Sequence, residues 1–122
     1  MVEVICDTSF LIHLATRRIK NISTLETEIG SLQFVLPDVV VNELQNLLKN
    51  EKKKHDIIAA IDYSQKLKKI SISGKFADKE LIEHVKQHGG IIGTMDKDLK
   101  KIIKKNRGSI ISFSNDRIIL ES

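Results

Sequence analysis

The sequence predicts an α/β sandwich around a central, mainly parallel sheet, and three observations carry that prediction. Short apolar runs, too brief for helices, recur along the chain as expected of strands buried on both faces. Between them stand longer stretches whose apolar residues repeat at helical spacing. Their alternation over 122 residues fits one domain, residues 1–122, with no internal repeat, low-complexity tract or linker.

Taken in order, residues 2–6 are nearly all apolar and form the first strand. Residues 8–16 make a short helix closed by Arg17 and Arg18, and residues 21–29 a second one ended by Gly30. Phe34 to Leu36 is the second strand. The helix over 38–50 repeats Val40, Leu44, Leu47 and Leu48, and the charged stretch from Asn50 to His55 connects it to a helix over 56–68 carrying Ile57, Ile61 and Leu67. Ile70 to Ile72 is the third strand. A helix over 78–88 follows, with Leu81, Ile82 and Val85, then a strand from Ile91 to Gly93. The helix over 97–105 presents Leu99, Ile102 and Ile103, and Ile110 to Phe113 is the fifth strand.

Composition narrows the function. The net charge is +4, and it is unevenly spread: −3 over residues 1–48, +5 over 49–75 and +2 over 76–122. Lys49 and Lys52 to Lys54 form one basic cluster, and Lys97, Lys100, Lys101, Lys104, Lys105 and Arg107 another, which favours a polyanionic partner. The single cysteine, Cys6, cannot form an internal disulfide and reads as a small core residue in a reducing compartment. The sequence opens Met-Val-Glu-Val without a basic lead, and no segment approaches the ~20 apolar residues of a membrane span. The expectation is a soluble cytoplasmic protein with no membrane partner. There is no phosphate-cradling glycine loop. His84 and His88 have the spacing of a zinc pair but lack a third ligand, and Ser9 lacks the turn and histidine of a nucleophile. Aromatic residues make up 4% of the chain and are not interleaved with basic ones, which argues against a base-stacking RNA module.

Four carboxylates stand in apolar company. Asp7 follows the first strand, Asp96 follows the fourth, Glu43 shares a helical stripe with Val40, Leu44 and Leu47, and Asp78 precedes Leu81 and Ile82 by three and four residues. A desolvated carboxylate is costly unless a cation compensates it. Ligands of an open α/β sheet bind beyond the carboxyl ends of the strands, where Asp7 and Asp96 lie. Asp96 also suits a helix N-cap and Asp78 a first-turn carboxylate. Together, hard oxygen ligands without cysteine point to Mg²⁺ or Mn²⁺, and such ions flanked by lysines suit phosphodiester cleavage. In that reading Ser9 holds the metal-bound carboxylate or a water by hydrogen bonding.

The sequence resembles the PIN-domain ribonucleases. The likeness rests on Asp7-Thr8-Ser9 after a hydrophobic strand, Glu43-Leu44, Ala77-Asp78 before Leu81-Ile82, and Thr94-Met95-Asp96-Lys97-Asp98-Leu99, in that order. It implies a three-layer α/β/α fold with a mainly parallel five-stranded sheet and Mg²⁺- or Mn²⁺-dependent endoribonuclease activity on single strands. The implied catalytic and metal-binding acids are Asp7, Glu43, Asp78 and Asp96, with Asp98 as a further ligand candidate and Ser9 and Thr94 as supporting polar groups. Lys97, Lys100, Lys101, Lys104 and Lys105 are expected to form a basic outer face for RNA. Two positions depart from the family pattern, Lys79 where a second acid is common and Met95 where Asn is common. Residues 74–115 are similar to the PIN proteins that process ribosomal RNA, while the compact size and motif order suit VapC toxins. The implied partners are RNA, an antitoxin or a ribosome-assembly protein, and a second copy in a homodimer. A catalytically idle PIN scaffold is the alternative.

Overall fold

The computed structural model describes residues 2–50 and 54–121. Strand β1 (Val2–Cys6) leads to α1 (Thr8–Thr16) and α2 (Ile22–Ile29), then β2 (Leu32–Pro37), α3 (Asp38–Asn50) and α4 (His55–Ser64). Strand β3 (Lys68–Ile70), α5 (Ala77–His88), β4 (Ile91–Gly93), α6 (Lys97–Lys105), β5 (Ser109–Ser114) and β6 (Arg117–Glu121) complete it. Lys52 and Lys53, with part of the charged connection, lie outside the described residues.

The strands form one sheet in the order β3-β2-β1-β4-β5-β6. All neighbours are parallel except β5 and β6. Strand β1 lies at the switch point: the chain first builds outward through β2 to β3, then returns to build through β4 to β5. Right-handed crossovers then put the two sets of helices on opposite faces. Helices α1, α3 and α4 pack on one another, and α5 packs with α6, giving three layers.

Two departures from the sequence reading are local. The sheet has six strands, not five. Asn115 and Asp116 both adopt the left-handed conformation (φ 51° and 63°), which makes a two-residue hairpin turn and folds Arg117–Glu121 back against β5. The Asn21 side chain bonds both outward-facing backbone groups of Ile118, at 2.9 and 2.8 Å, so the outer edge of β6 is partly closed. The second departure is that α4 stops at Ser64 and β3 begins at Lys68, earlier than the run Ile70–Ile72 suggests. β3 is an edge strand, and an edge tolerates exposed lysines such as Lys68 and Lys69 where an interior strand does not.

Apolar residues of the central strands, among them Val4, Ile5, Cys6, Val35, Leu36, Ile92, Ile110 and Ile111, fill the core. Cys6 is buried, and burial raises its thiol well above the ordinary range, as an inert core residue requires. Phe10 of α1 packs over β4 so closely that a Cβ on Gly93 would lie 2.6 Å from its ring. Only glycine fits there, and the close approach draws the start of α1 onto the end of β4.

Candidate active site

Strand register builds the site. Cys6 pairs with Gly93, so the residues that follow, Asp7 and Thr94, leave the sheet side by side. The Asp7 N–H donates to the Gly93 carbonyl at 3.0 Å, and the Thr94 N–H to the Ile111 carbonyl at 3.1 Å. Asp7 is the N-cap of α1: its Oδ1 accepts from the Phe10 N–H at 2.8 Å and from the Ser9 hydroxyl at 2.9 Å. Its Oδ2 accepts from the Thr94 hydroxyl. Thr94 Oγ1 accepts in turn from the Asp96 N–H at 3.1 Å, and Ser9 Oγ from the Met95 N–H at 3.2 Å. These bonds tie the loop after β1 to the loop after β4 and fix both oxygens of Asp7.

Asp7 is 4% exposed. Desolvation pushes its carboxyl up to about 6, against the opposing pull of Thr94, the Phe10 N–H and Ser9, and the charge of Asp78 adds to the rise. Asp78, on the first turn of α5, lies at the exposed rim. Partial desolvation raises its carboxyl too, helped by the charges of Asp96 and Glu43. The four acids therefore feel one another. They line one cleft of about 490 Å³ together with Thr8, Ser9, Phe76, Ala77 and Met95, within the size range of small-molecule sites.

Glu43 reaches this cleft from α3, half-buried on the stripe that buries Val40 and Leu44. Asp96 arrives by a different local logic. It is the N-cap of α6, with Oδ1 accepting from the N–H groups of Asp98 and Leu99 at 2.9 and 3.2 Å. The capping role expected for Asp96 is thus shared by Asp7, and in both residues it orients the carboxylate that borders the cleft. Asp98 is exposed and does not line the cleft, so its place as a metal ligand has no geometric support. Lys79 is exposed on α5. Met95 lines the cleft, and its Sδ accepts from the Phe113 N–H at 3.4 Å.

The basic outer face of α6 is divided. Lys100 and Lys104 reach Glu121 of β6 at 3.4 and 3.1 Å, which leaves Lys97, Lys101 and Lys105 exposed and without an ion pair among the described residues. The β5–β6 hairpin, which periodicity does not reveal, brings Glu121 alongside. The apolar stripe is narrower than expected as well: Leu99 and Ile103 are buried, whereas Ile102 is 39% exposed. His84 and His88 lie against each other on α5 with their rings tilted by 44° and their centroids 4.9 Å apart, and neither lines the cleft.

Two cleft residues went unsingled by sequence reasoning. The Thr8 hydroxyl is buried and has no hydrogen-bond partner among the described residues, a polar group that a ligand in the cleft would satisfy. Its only sequence signal is its place between Asp7 and Ser9. Phe76 is 62% exposed at the rim.

The donor set is all oxygen, carboxylates with hydroxyls nearby, and suits a hard divalent cation. A buried, penalised Asp7 and an unsatisfied Thr8 beside it fit such an ion. Among the described residues no three of the His, Cys, Asp and Glu side chains already stand at metal-ligand spacing, so the acids would have to draw together around it. No described helix is long and apolar enough to cross a membrane.

Comparison with known proteins bears on the family and the fold. A family described as "PIN like domain" matches residues 4–115. Among solved structures, the chain is similar to the PIN domain endonuclease Utp24, with a TM-score of 0.73 and 27% identity over 98% of this chain and 90% of that one. None of the curated proteins matches it.

Proposed function

The chain belongs to the PIN-like domain family, whose members are generally nucleases, and from that premise we propose that it is an endoribonuclease dependent on Mg²⁺ or Mn²⁺. The support is the convergence of Asp7, Glu43, Asp78 and Asp96 from four separate elements on one cleft, with Asp7 buried there at a cost to its charge. These four residues would hold the cation. When bound, it supplies a Lewis acid for the phosphodiester and acidifies the attacking water.

The other steps belong to the protein. Ser9 and Thr94 hold Asp7 in one orientation through both of its oxygens. Asp78, at the exposed rim of the cleft and crowded by the charges of Asp96 and Glu43, is the acid whose repulsion a bound cation would relieve from the solvent side. Glu43 enters from the opposite helical layer and closes the acidic wall. Lys97, Lys101 and Lys105 begin beside Asp96 and draw the phosphate backbone toward a cleft that would otherwise repel it.

The substrate class is single-stranded or structured RNA, on the strength of the resemblance carried by residues 74–115. Processing of ribosomal RNA and toxin activity would use the same chemistry. A small overlapping upstream gene would mark the toxin. The test of catalysis is cleavage of single-stranded RNA in Mn²⁺ or Mg²⁺, with activity expected to vanish in EDTA and in Glu43→Gln or Asp78→Asn. A folded Glu43→Gln protein that still cleaves would overturn the assignment.

One observation favours a second reading, a catalytically idle scaffold: no three acids stand ready at ligand spacing among the described residues. The same experiment separates the two. An idle scaffold binds RNA without cutting it and melts at the same temperature with and without Mn²⁺.

A further inference from the structure

Phe76 breaks two local patterns at once. It is the N-cap of α5, where Ser, Asp or Asn would accept from the free N–H groups of the first turn, and its side chain makes no such bond. Its ring is also 62% exposed, while the other aromatic residues pack inward. Phe10 contacts Phe34 and Phe113 at 5.9 and 5.2 Å between centroids, and Tyr63 is half-buried against the core. A chain with so few rings has left one in the open, at the rim of the acidic cleft.

The ring is not on a loose support. Phe76 has an extended backbone (φ −122°, ψ 121°), its carbonyl accepts from the Glu80 N–H at 3.1 Å, and the next residue, Ala77, is buried. A cation accompanies it: Lys75 Nζ lies 5.7 Å from the ring centroid. The adjacent pair thus supplies the interleaving of base and ring that composition alone argued against.

An exposed ring next to carboxylates, with an ammonium over one of its faces, matches one component of a nucleic acid, the nucleobase, which would stack on the other face while the ammonium met the adjoining phosphate. We propose that Phe76 is a base-stacking platform that seats an unpaired nucleobase next to the cleft, with Lys75 meeting that nucleotide's phosphate. The proposal rests on the endoribonuclease reading and adds a source of strand selectivity. A base within a duplex is already stacked and must be pulled out to reach the ring, so the platform favours single strands. Because every base has a π face, it does so with little preference for sequence.

The chain contains no tryptophan, so Phe76→Trp introduces a single indole as a reporter. The measurement is made in EDTA at low salt, with a single-stranded RNA oligonucleotide and an abasic sugar-phosphate oligomer of the same length. RNA is expected to quench the indole and the abasic oligomer not to. In parallel, fluorescence anisotropy should show Phe76→Ala weakening RNA binding by roughly 5- to 150-fold, the equivalent of one stacked base. Phe76→Leu, which keeps apolar bulk without a π face, should lose nearly as much, and Phe76→Trp should retain affinity. Binding of the abasic oligomer and the melting temperature should stay unchanged in all three. If RNA binds but leaves the indole unquenched, or if Phe76→Ala weakens RNA and abasic oligomer equally, the platform is refuted while the nuclease reading stands. If the parent neither binds nor cleaves any RNA, both fall.

Discussion

Asp7→Asn is expected to raise the melting temperature of the metal-free protein at pH 7.5, although it removes a residue assigned to the site. Asp7 is buried, and its carboxyl is raised from 3.8 to about 6 in the folded protein, chiefly by desolvation. At about 1.36 kcal/mol per factor of ten, holding it ionised costs about 3 kcal/mol. The amide keeps an oxygen to accept from Phe10 and Ser9 but turns an NH₂ toward Thr94, and the disturbed contact takes back about 1 kcal/mol. The net gain is about 2 kcal/mol. An unfolding entropy of about 2.1 cal/mol/K per residue gives roughly 0.26 kcal/mol/K for a chain of 122 residues, so the expected rise is about 8 °C. The pH dependence has a definite sign. Because the folded pKa is the higher one, the cost is absent below 3.8, grows between 3.8 and 6, and is complete above 6. The advantage of the variant should therefore shrink with acid and vanish near about pH 4.5. Thermal unfolding of both proteins in EDTA, followed by circular dichroism from pH 7.5 to pH 4, checks this. A variant less stable than the parent at pH 7.5, or a difference that does not change with pH, would refute the reasoning.

Saturating the parent with Mn²⁺ at ~100-fold excess over Kd should stabilise it by about 2.7 kcal/mol. Asp96→Asn should lose most of that gain in a thermal-shift assay while keeping its helix, since Asn caps as well as Asp. Lys97→Glu combined with Lys101→Glu should weaken RNA binding and reduce the log–log salt slope by about 0.7 for each lost phosphate contact. Lys100→Ala combined with Lys104→Ala should change the slope less, because those lysines already face Glu121; equal slopes in the two double variants would return the exposed lysines to a solubilising role. Gly93→Ala should cost about 1–3 kcal/mol by overpacking against Phe10, measured by urea denaturation, and a neutral result would mean the ring can move aside.

Much of this was legible because it depends on local pattern. The run from Val2 to Cys6 and the stripe of Val40, Leu44 and Leu47 announce a buried strand and a one-faced helix, and the structure has both. The positions of the four acids followed from the same patterns, since strand ends and helix faces define one end of a parallel sheet. What failed was set by tertiary neighbours. Arg117–Glu121 is a strand only because two left-handed residues turn it back onto β5, and Asn-Asp is a weaker hairpin signal than Asn-Gly. The pairing of Lys100 and Lys104 with Glu121 depends on that hairpin and was hidden with it. Exposure of a single ring such as Phe76 cannot be read from periodicity, because its position belongs to no helical or strand repeat.

The hydrogen bond from Thr94 to Asp7 joins residues 87 positions apart, and this separation governs when the cleft comes into being. A chain emerging from its N-terminus makes β1 and α1 early, with Asp7 capped by the Phe10 N–H, but nothing near in sequence can seat the second oxygen. Thr94 and Asp96 arrive together, after α1 to α5 have been synthesised. A fragment released before that point carries Asp7 and Glu43 without the loop that seats the second oxygen of Asp7. The cleft thus takes its final form late in synthesis, and a truncated product would present its first acids without the hydrogen bonds that fix Asp7.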